Sequence, residues 1–436
     1  MIAPSSYGAL SAMSANTIQG NKPGFSGQSG AKKLGFKVGN ISYSEANPVL
    51  GGSNTDKDKI EPGTPKVFER TLKLNEFVVQ GLTVNDFTVA NDYFDADGDE
   101  AATPAFTVDG VSHEWWSGNV KITDESKMIG CGSGLSLPLT LKIKLDAKAY
   151  SKYGDPRVSD ASGLEQSYQI TTTPGICFAK PGSLTYYGGT ASRDPVQGGG
   201  YTADFDPANG FRANPTESRV KFPTTAFSGA RFQLVMTGRQ TDYTYNVITN
   251  PNSAAIVDTN GWVTINNKPT GAITVRVTSK PPLTTSFDYE FNPTSLWVVP
   301  KGTGVNYAQA KTICGDESKI PTRAQLTNSP QNTIAPGATI PYNYYTRAIG
   351  KLYARDSQGS LTNNVLANEN IFGEWGHSVN HYSVYPGSSW YRLTEFYWTR
   401  EAWSNNYQFV VNSGHGLVAW PDPNGFYGNT SSVCLE

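Results

Sequence analysis

The sequence predicts a mainly β protein: tandem immunoglobulin-like β-sandwiches followed by an α+β domain. Three observations predict it. Turn residues are plentiful, with 44 Gly and 27 Pro in 436 residues, while helix formers such as Leu, Met, Glu and Lys are sparse. Leu135, Leu137, Leu139, Leu141, Ile143 and Leu145 alternate strictly with other residues, the period of a strand with one buried face. The best helix and the densest aromatic run lie together in the last third of the chain.

Taken in order, residues 1–31 are rich in Ser, Gly and Asn and read as a flexible lead. Residues 32–178 read as a β-sandwich domain. Its strands are expected at Leu34–Val38, Thr71–Leu74, Phe77–Val84, Leu135–Leu145 and Tyr168–Thr172. Pro138 places an edge or a bulge near the start of the long strand. Residues 179–299 read as an immunoglobulin-like domain with strands at Phe232–Met236, Tyr243–Ile248, Trp262–Ile265 and Ile273–Thr278. Asn260-Gly261 is the hairpin signal between Ile256-Val257 and Trp262-Val263. Leu296–Val299 leads out and is expected to be shared with the next domain. In residues 300–436, Val305–Cys314 reads as a helix with Val305, Ala308, Ile313 and Cys314 on its inner side. Thr322 caps a short second helix, Arg323–Leu326. Between Phe372 and Tyr427 about a quarter of residues are aromatic, against 12% for the whole chain.

Composition excludes several classes of function. The net charge is −2 and no Lys/Arg cluster exists, so no nucleic acid is expected as a partner. No apolar run of about 18 residues is present, so no helix is expected to span a membrane. Met1-Ile-Ala-Pro4 has no charged start and no apolar core, so the chain reads as an excised piece of an exported protein, with Met1 added and Leu435-Glu436 a cloning scar. The four cysteines form no C-x-x-C pair. They read as two disulfides within domains, Cys131–Cys177 and Cys314–Cys434, in an oxidising compartment.

Enzymatic motifs are missing. There is no Gly-x-Ser-x-Gly elbow and no His-Glu-x-x-His helix, and His113-Glu114-Trp115-Trp116 lacks the second histidine. Gln197–Gly200 does not lead from a strand into a helix, which argues against a phosphate cradle. His377 and His381 are four apart, but Gly376 and Pro386 place them in a loop, so no zinc pair is expected. Asp92–Glu100 is acidic, yet counting from Asp95 the sixth and twelfth positions are Glu100 and Phe106. That rejects the helical calcium loop and leaves a solvated acidic turn. The chain is read as a non-enzyme with no cofactor and no metal.

Several segments resemble the C-terminal region of the intimin/invasin family of bacterial adhesins, the inverse autotransporters. Ala203–Phe211, Phe222–Phe232, Val257–Ile265 and Ala272–Val277 resemble the family's immunoglobulin-like domain. Tyr307–Cys314, Ile320–Leu326, Gly373–Gly376, Tyr397–Glu401, Phe409–Asn412 and Cys434 resemble, in order, its C-type-lectin-like module. Residues 32–178 look like an adhesion domain found upstream in some members. The resemblance implies a rigid rod whose 300–436 segment is a C-type-lectin-like tip that binds a host cell-surface or extracellular protein. It implies display at the bacterial surface or secretion, through an outer-membrane β-barrel on the same or a separate chain. Alternatives from other classes are a carbohydrate-binding module and a structural or intermicrobial protein with no host receptor. Calcium-dependent sugar binding is disfavoured: Asp422-Pro423-Asn424 lies past the strand pair, and Trp403-Ser404-Asn405 lacks the required carboxylate.

Within Glu395–Gly414, the resemblance makes Trp398 and Phe409 core residues, with Trp375. Tyr385, Trp390, Trp403 and Tyr407 lie between the landmarks in Ser/Gly/Asn/Pro-rich context and are the candidate ligand contacts. Arg400 is a fifth candidate, with Glu401 its expected ion-pair partner at the strand end.

Overall fold

The computed structural model describes residues 20–26, 29–46, 49–50, 59–160, 164–188, 198–330, 344–355, 361–377, 384–390, 395–424 and 430–436. The expected lead before residue 20, together with Gln197, His381, Tyr382, Tyr391 and Tyr427, lies outside them. The chain divides into two compact units. One comprises residues 1–129 and 135–173, the other residues 130–134 and 174–436.

In the first unit the alternating leucines do what their period requires. Strand Leu139–Ser151 turns Leu139, Leu141, Ile143, Leu145, Ala147 and Ala149 inward, none more than 2% exposed. Each buried Leu or Ile contributes about 1.5–3 kcal/mol. This strand lies between Ala101–Ser117 and Leu164–Thr171, antiparallel to both, with Trp115 opposite Leu141 and Gln166 opposite Ile143. Short strands Lys66–Val67 and Val120–Ile122 complete five. A three-stranded sheet of Phe36–Val38, Ile41–Tyr43 and Phe77–Val79 supplies further rings, and Phe36, Phe68, Phe77, Trp115 and Tyr168 join one core.

Three expected strands differ from the structure: Phe77–Val84 ends at Val79, and Val84 opens a 3-10 helix. Leu135 and Leu137 precede the strand, which begins after Pro138; proline has no N–H for the ladder. Thr71–Leu74 is a turn leading into a 3-10 helix at Leu74–Glu76, where Glu76 accepts the Lys73 N–H at 2.6 Å. The segment keeps one antiparallel bridge, Lys73 to Met128, in place of a full strand.

The second unit contains a sandwich. A six-stranded sheet of Phe205–Asp206, Gly210–Arg212, Ile176–Pro181, Ala230–Met236, Trp262–Ile265 and Ala255–Val257 shares a core with a three-stranded sheet of Tyr243–Thr249, Ile273–Ser279 and Ser286–Phe291. The expected hairpin forms at Asn260-Gly261. Gly261 has φ +79°, and a Cβ there would sit 2.7 Å from the Tyr245 ring, so the turn needs glycine on both counts.

Leu296–Thr303 is the shared strand. It runs parallel to Thr225–Ala226 and antiparallel to Thr430–Leu435. Its six-stranded sheet continues through Phe396–Ser404, Tyr407–Asn412 and Val418–Ala419. The expected domains 179–299 and 300–436 therefore share one sheet and one hydrophobic core, and fall in one compact unit.

The helix Tyr307–Cys314 is capped by Asn306, whose side chain accepts the Gln309 N–H at 2.9 Å. Its inner side is Tyr307 and Ala310, with Cys314 one turn on. Ala308 and Ile313 are exposed, contrary to expectation, because the cap starts the helix at Tyr307 and shifts the 3.6-residue period. Thr322 caps Arg323–Leu326 as expected, accepting the Gln325 N–H.

Both cysteine pairs are bonded, Cys131 to Cys177 and Cys314 to Cys434. The first pair was expected to tie two strands of the 32–178 sandwich. Instead both cysteines belong to the second unit. Cys131 bridges to Thr237, and Cys177 lies on Ile176–Pro181, which pairs with Ala230–Met236.

Candidate functional site

Phe396–Ser404 and Tyr407–Asn412 form the antiparallel pair on which the candidate residues were sought. Trp398 pairs with Val410 and Ala402 with Gln408, so three residues of the first strand, Thr399 to Glu401, face only Phe409. This bulge re-aims the side chains around it. Arg400 sits in the bulge. Its side chain is exposed, and its N–H donates to the Pro321 carbonyl at 3.1 Å. Glu401 does not pair with Arg400; it accepts the Arg323 N–H at 2.7 Å.

Beyond the bulge the sheet carries a row of rings. Trp403 stacks on Trp420 with centroids 5.1 Å apart, and meets Phe409 nearly perpendicularly at 5.7 Å. The Arg323 guanidinium lies 4.8 Å over Phe409. Trp403 and Tyr407 are partly exposed, whereas Phe409 and Trp420 are buried. Ser404, Asn405 and Asn406 at the turn are exposed. Burial lowers the proton affinity of Arg323, and Glu401 opposes that shift. Its Nη1 is buried and has no hydrogen-bond partner among the described residues.

Tyr385 and Trp390 are elsewhere and are buried, which corrects the expectation that their loop presents them. Tyr385 is 0% exposed: its hydroxyl donates to the Trp375 carbonyl and accepts the Ser183 N–H at 3.2 Å. Trp390 is 1% exposed among Phe227, Phe372 and Tyr397. Ser/Gly/Pro context marks a loop, but here the two aromatics plug the loop into the core. Trp375, Trp398 and Phe409 are core residues, 1%, 0% and 4% exposed.

So Trp403 and Tyr407 share the aromatic face, Arg400 flanks it in the bulge, and Arg323 and Trp420 join it unforeseen. Arg323 carried one signal in the sequence, its place directly after the Thr322 cap. The capping argument covers the backbone there and says nothing about the side chain.

A second polar constellation is wholly buried. Glu374 accepts the Thr224 N–H at 2.9 Å, the Thr225 N–H at 3.0 Å, the Thr225 hydroxyl at 2.9 Å and the Gly350 N–H at 2.9 Å, as well as the Thr224 hydroxyl. Arg347 donates to the carbonyls of Ser183, Thr185, Gly373 and Glu374 at 2.8–3.2 Å and lies 4.5 Å over Phe205. Burial pushes the Glu374 carboxyl up and the threonine and glycine donors hold it down. With every group satisfied and no open face, this arrangement fastens chain segments and offers no ligand site.

Of the remaining sequence candidates, His113 pairs with Glu125 at 3.2 Å. His377 lies outside the helix Ile371–Trp375. In the acidic turn, Asp95, Asp97 and Asp99 each place an oxygen within 4.8 Å of the others, and Asn21 donates to Asp97 through both its main chain and its side chain. Asp92 is apart from them, buried and paired with Lys33 at 2.8 Å.

With this geometry in hand, comparison with known families is informative for one segment. Residues 207–291 match the family model of invasin, domain 4. That segment is similar to domain 4 of invasin. The domain 4 segment covers most of the sandwich, from its Gly210–Arg212 strand to the end of Ser286–Phe291.

Among solved structures, an intimin mutant from EHEC O157:H7 is 17% identical, with 53% of this chain and 93% of that chain covered and a TM-score of 0.31. Invasin, described as a bacterial integrin-binding protein, is 17% identical over 76% of this chain and 50% of its own, with a TM-score of 0.35. The chain thus spans half the length of that invasin chain. A 282-residue C-terminal fragment of intimin, in complex with the intimin-binding domain of the translocated intimin receptor, is 15% identical over 80% and 95%, with a TM-score of 0.34. No curated protein sequence matches the chain.

Proposed function

We propose that the chain is the receptor-binding passenger of a bacterial adhesin, displayed or released outside the cell. In this reading residues 300–436 form the lectin-like tip and bind a host cell-surface or extracellular protein. The upstream sandwiches act as a spacer, and an outer-membrane β-barrel, in cis or as a separate chain, exports the whole.

The observation that carries the reading is the aromatic face. Partly exposed Trp403 and Tyr407 stand on a strand pair, Trp403 backed by Trp420 and Phe409, with Arg323 over Phe409 and Arg400 in the adjoining bulge. Trp, Tyr and Arg are the residues that anchor protein interfaces. The face lies in the same compact unit as the invasin domain 4 segment. A hinge between residues 179–299 and 300–436 is disfavoured by their common core and the buried Glu374 and Arg347 networks.

The test is binding of the intact, oxidised chain to cultured epithelial cells and to a panel of immobilised extracellular proteins. Saturable binding that falls at least tenfold in Trp403→Ala, compared at equal folded concentration, supports the reading. Absence of binding to every cell and protein, alongside self-association, supports a structural or intermicrobial role instead. Chelator-sensitive binding to a glycan array points to a carbohydrate-binding module.

A further inference from the structure

We propose that Ser286–Phe291, in a segment read above as spacer, takes an extended segment of another protein as an added strand, with Lys or Arg facing Glu290. The surface is distinct from the aromatic face and the inference does not rest on it.

Ser286–Phe291 is an outer strand of its three-stranded sheet and pairs with Ile273–Ser279. The Ser279 N–H donates to the Thr285 carbonyl at 2.8 Å, which sets the phase of the ladder. Phe287, Tyr289 and Phe291 therefore turn their main-chain groups toward Ile273–Ser279, and Ser286, Asp288 and Glu290 turn theirs outward. Those three residues are exposed, and among the described residues no hydrogen bond reaches their outward N–H and C=O groups. Neighbouring edges are obstructed. Tyr243–Thr249 is broken by a bulge, with Tyr243 and Tyr245 buried, and the Asn250 side chain occupies both main-chain groups of Ala255 on Ala255–Val257. Ser286–Phe291 has six residues in unbroken register, without a bulge, a proline or a lysine, the usual devices that shut an edge. Such an edge is a template for strand addition, in which main-chain bonds supply affinity and alternate side chains supply specificity.

The charges on the strand choose the occupant. Successive side chains alternate between the two faces of a strand, so Asp288 and Glu290 share the solvent face. Arg276, on the adjoining strand, holds Asp288 with two hydrogen bonds of 2.8 and 2.7 Å. Glu290 stands opposite Thr274 and has no ion pair among the described residues. Lys221 lies over the Tyr289 ring at 5.3 Å, and Tyr289 points to the opposite face. A lysine or arginine on the added strand answers Glu290, while an apolar residue on its other face meets the partly exposed Phe287. A second copy of this edge fits less well. Full antiparallel overlap would set Asp288 against Asp288 and Glu290 against Ser286, leaving Glu290 without a cation.

The test probes an array of random-sequence peptides with the intact, oxidised chain. Bound peptides should alternate Lys or Arg with apolar residues, and their signal should fall as salt rises. Glu290→Pro deletes an outward N–H and no ladder bond, so the strand is kept while binding should drop about tenfold or more. Glu290→Lys keeps the edge and should exchange basic peptides for acidic ones. Glu165→Lys, an exposed change on Leu164–Thr171, should alter nothing. Residue-resolved hydrogen exchange reads the geometry. The Asp288 and Glu290 amides should exchange fast in the free chain and slowly with a selected peptide bound, while Phe287 and Tyr289 stay slow in both. Absence of array binding, full binding by Glu290→Pro, or slow Asp288 and Glu290 amides in dilute free chain overturns the proposal. Protection that rises with chain concentration alone assigns the edge to a second copy and overturns it equally. If Glu290→Pro fails to fold, Glu290→Lys and the exchange pattern decide. Cell binding and its dependence on Trp403 test the adhesin reading separately.

Discussion

Arg347 and Glu374 share a buried site without joining their charged ends. Arg347 Nη2 donates to the main-chain carbonyl of Glu374 at 2.8 Å, while the Glu374 carboxylate turns away to Thr224, Thr225 and Gly350. Each side chain thus reaches from the 300–436 segment to the earlier one, Arg347 to Ser183 and Thr185, Glu374 to the two threonines. Buried charges survive when hydrogen bonds replace the lost water, and both do so here chiefly through main-chain groups.

Glu374→Gln tests this directly. The glutamine amide has one acceptor and a donating NH2, so one of the main-chain N–H groups that Glu374 now receives meets another donor. Loss of about 2–3 kcal/mol is expected, from a buried N–H left unpaired. It should appear as a lower urea midpoint with an unchanged slope. Thr224→Val, which removes only one hydroxyl partner, should cost about 1 kcal/mol. A midpoint for Glu374→Gln equal to wild type would sink the fastening role.

Acid should loosen the second unit through its histidines. The His415 ring lies 5.0 Å from Tyr187 and 6.2 Å from Tyr344, and its Nδ1 has no partner among the described residues. Burial lowers the proton affinity of His415, and burial together with His415 lowers that of His377. Groups depressed in the fold contribute stability that is present above their ordinary value near 6.5 and lost as pH falls below it. Glu374 and Glu395 are raised by burial and act in the opposite sense, losing stability as pH rises through their folded values. The melting temperature of wild type should therefore fall from pH 7 to about pH 5 by more than that of the double variant His377→Gln/His415→Gln. Equal slopes in the two proteins would remove the histidines from the account.

What was legible in the sequence followed from local periodicity. Leu139–Leu145, Trp262–Ile265 and the Asn260-Gly261 turn could be read because period two and a left-handed glycine are properties of a few adjacent residues. The same reasoning misplaced the inner side of Tyr307–Cys314 until the cap set its phase. The candidate site was legible only in part. Trp403 and Tyr407 remain surface residues, but Tyr385 and Trp390 look identical in context and are buried. What separates them is Phe227, more than 150 residues away, against which both rings pack. Glu374 lay in a recognised landmark, yet its partners Thr224 and Thr225 are 150 and 149 residues distant. No local pattern encodes such a pair.

The two disulfides should differ in what their loss unfolds. Cys314–Cys434 closes a loop of 120 residues, and removal of a cross-link of that span costs about 4–5 kcal/mol in the chain-entropy model. Cys131–Cys177 spans 46 residues and belongs wholly to the second unit. Replacing Cys131 and Cys177 by serine should raise hydrogen exchange in Ile176–Pro181 and Ala230–Met236 and leave Leu139–Ser151 protected. Loss of protection confined to Leu139–Ser151 and Leu164–Thr171 would return the bridge to the first unit. Intact-mass measurement of the oxidised chain should read four protons below the reduced form, as two bonds require.

Trp403 and Tyr385 make the sharpest contrast between a surface and a core aromatic of the same loop-rich region. Tyr385→Phe keeps the ring against Phe227 and Trp375 but leaves the Ser183 N–H and the Trp375 carbonyl short of a partner. It should cost about 1–2 kcal/mol of stability and leave binding to cells unchanged once folded protein is compared. Trp403→Ala removes half of a stack and uncovers Trp420, so some stability is lost and binding is compared at equal folded concentration. Its binding should fall at least tenfold, mainly through faster dissociation. Surface plasmon resonance on captured receptor, or flow cytometry with labelled chain, reads the one, and thermal melting reads the other. If Tyr385→Phe weakens binding as much as Trp403→Ala at equal folded concentration, the ligand is gripped from the Tyr385 side of the core and the aromatic face is not the site.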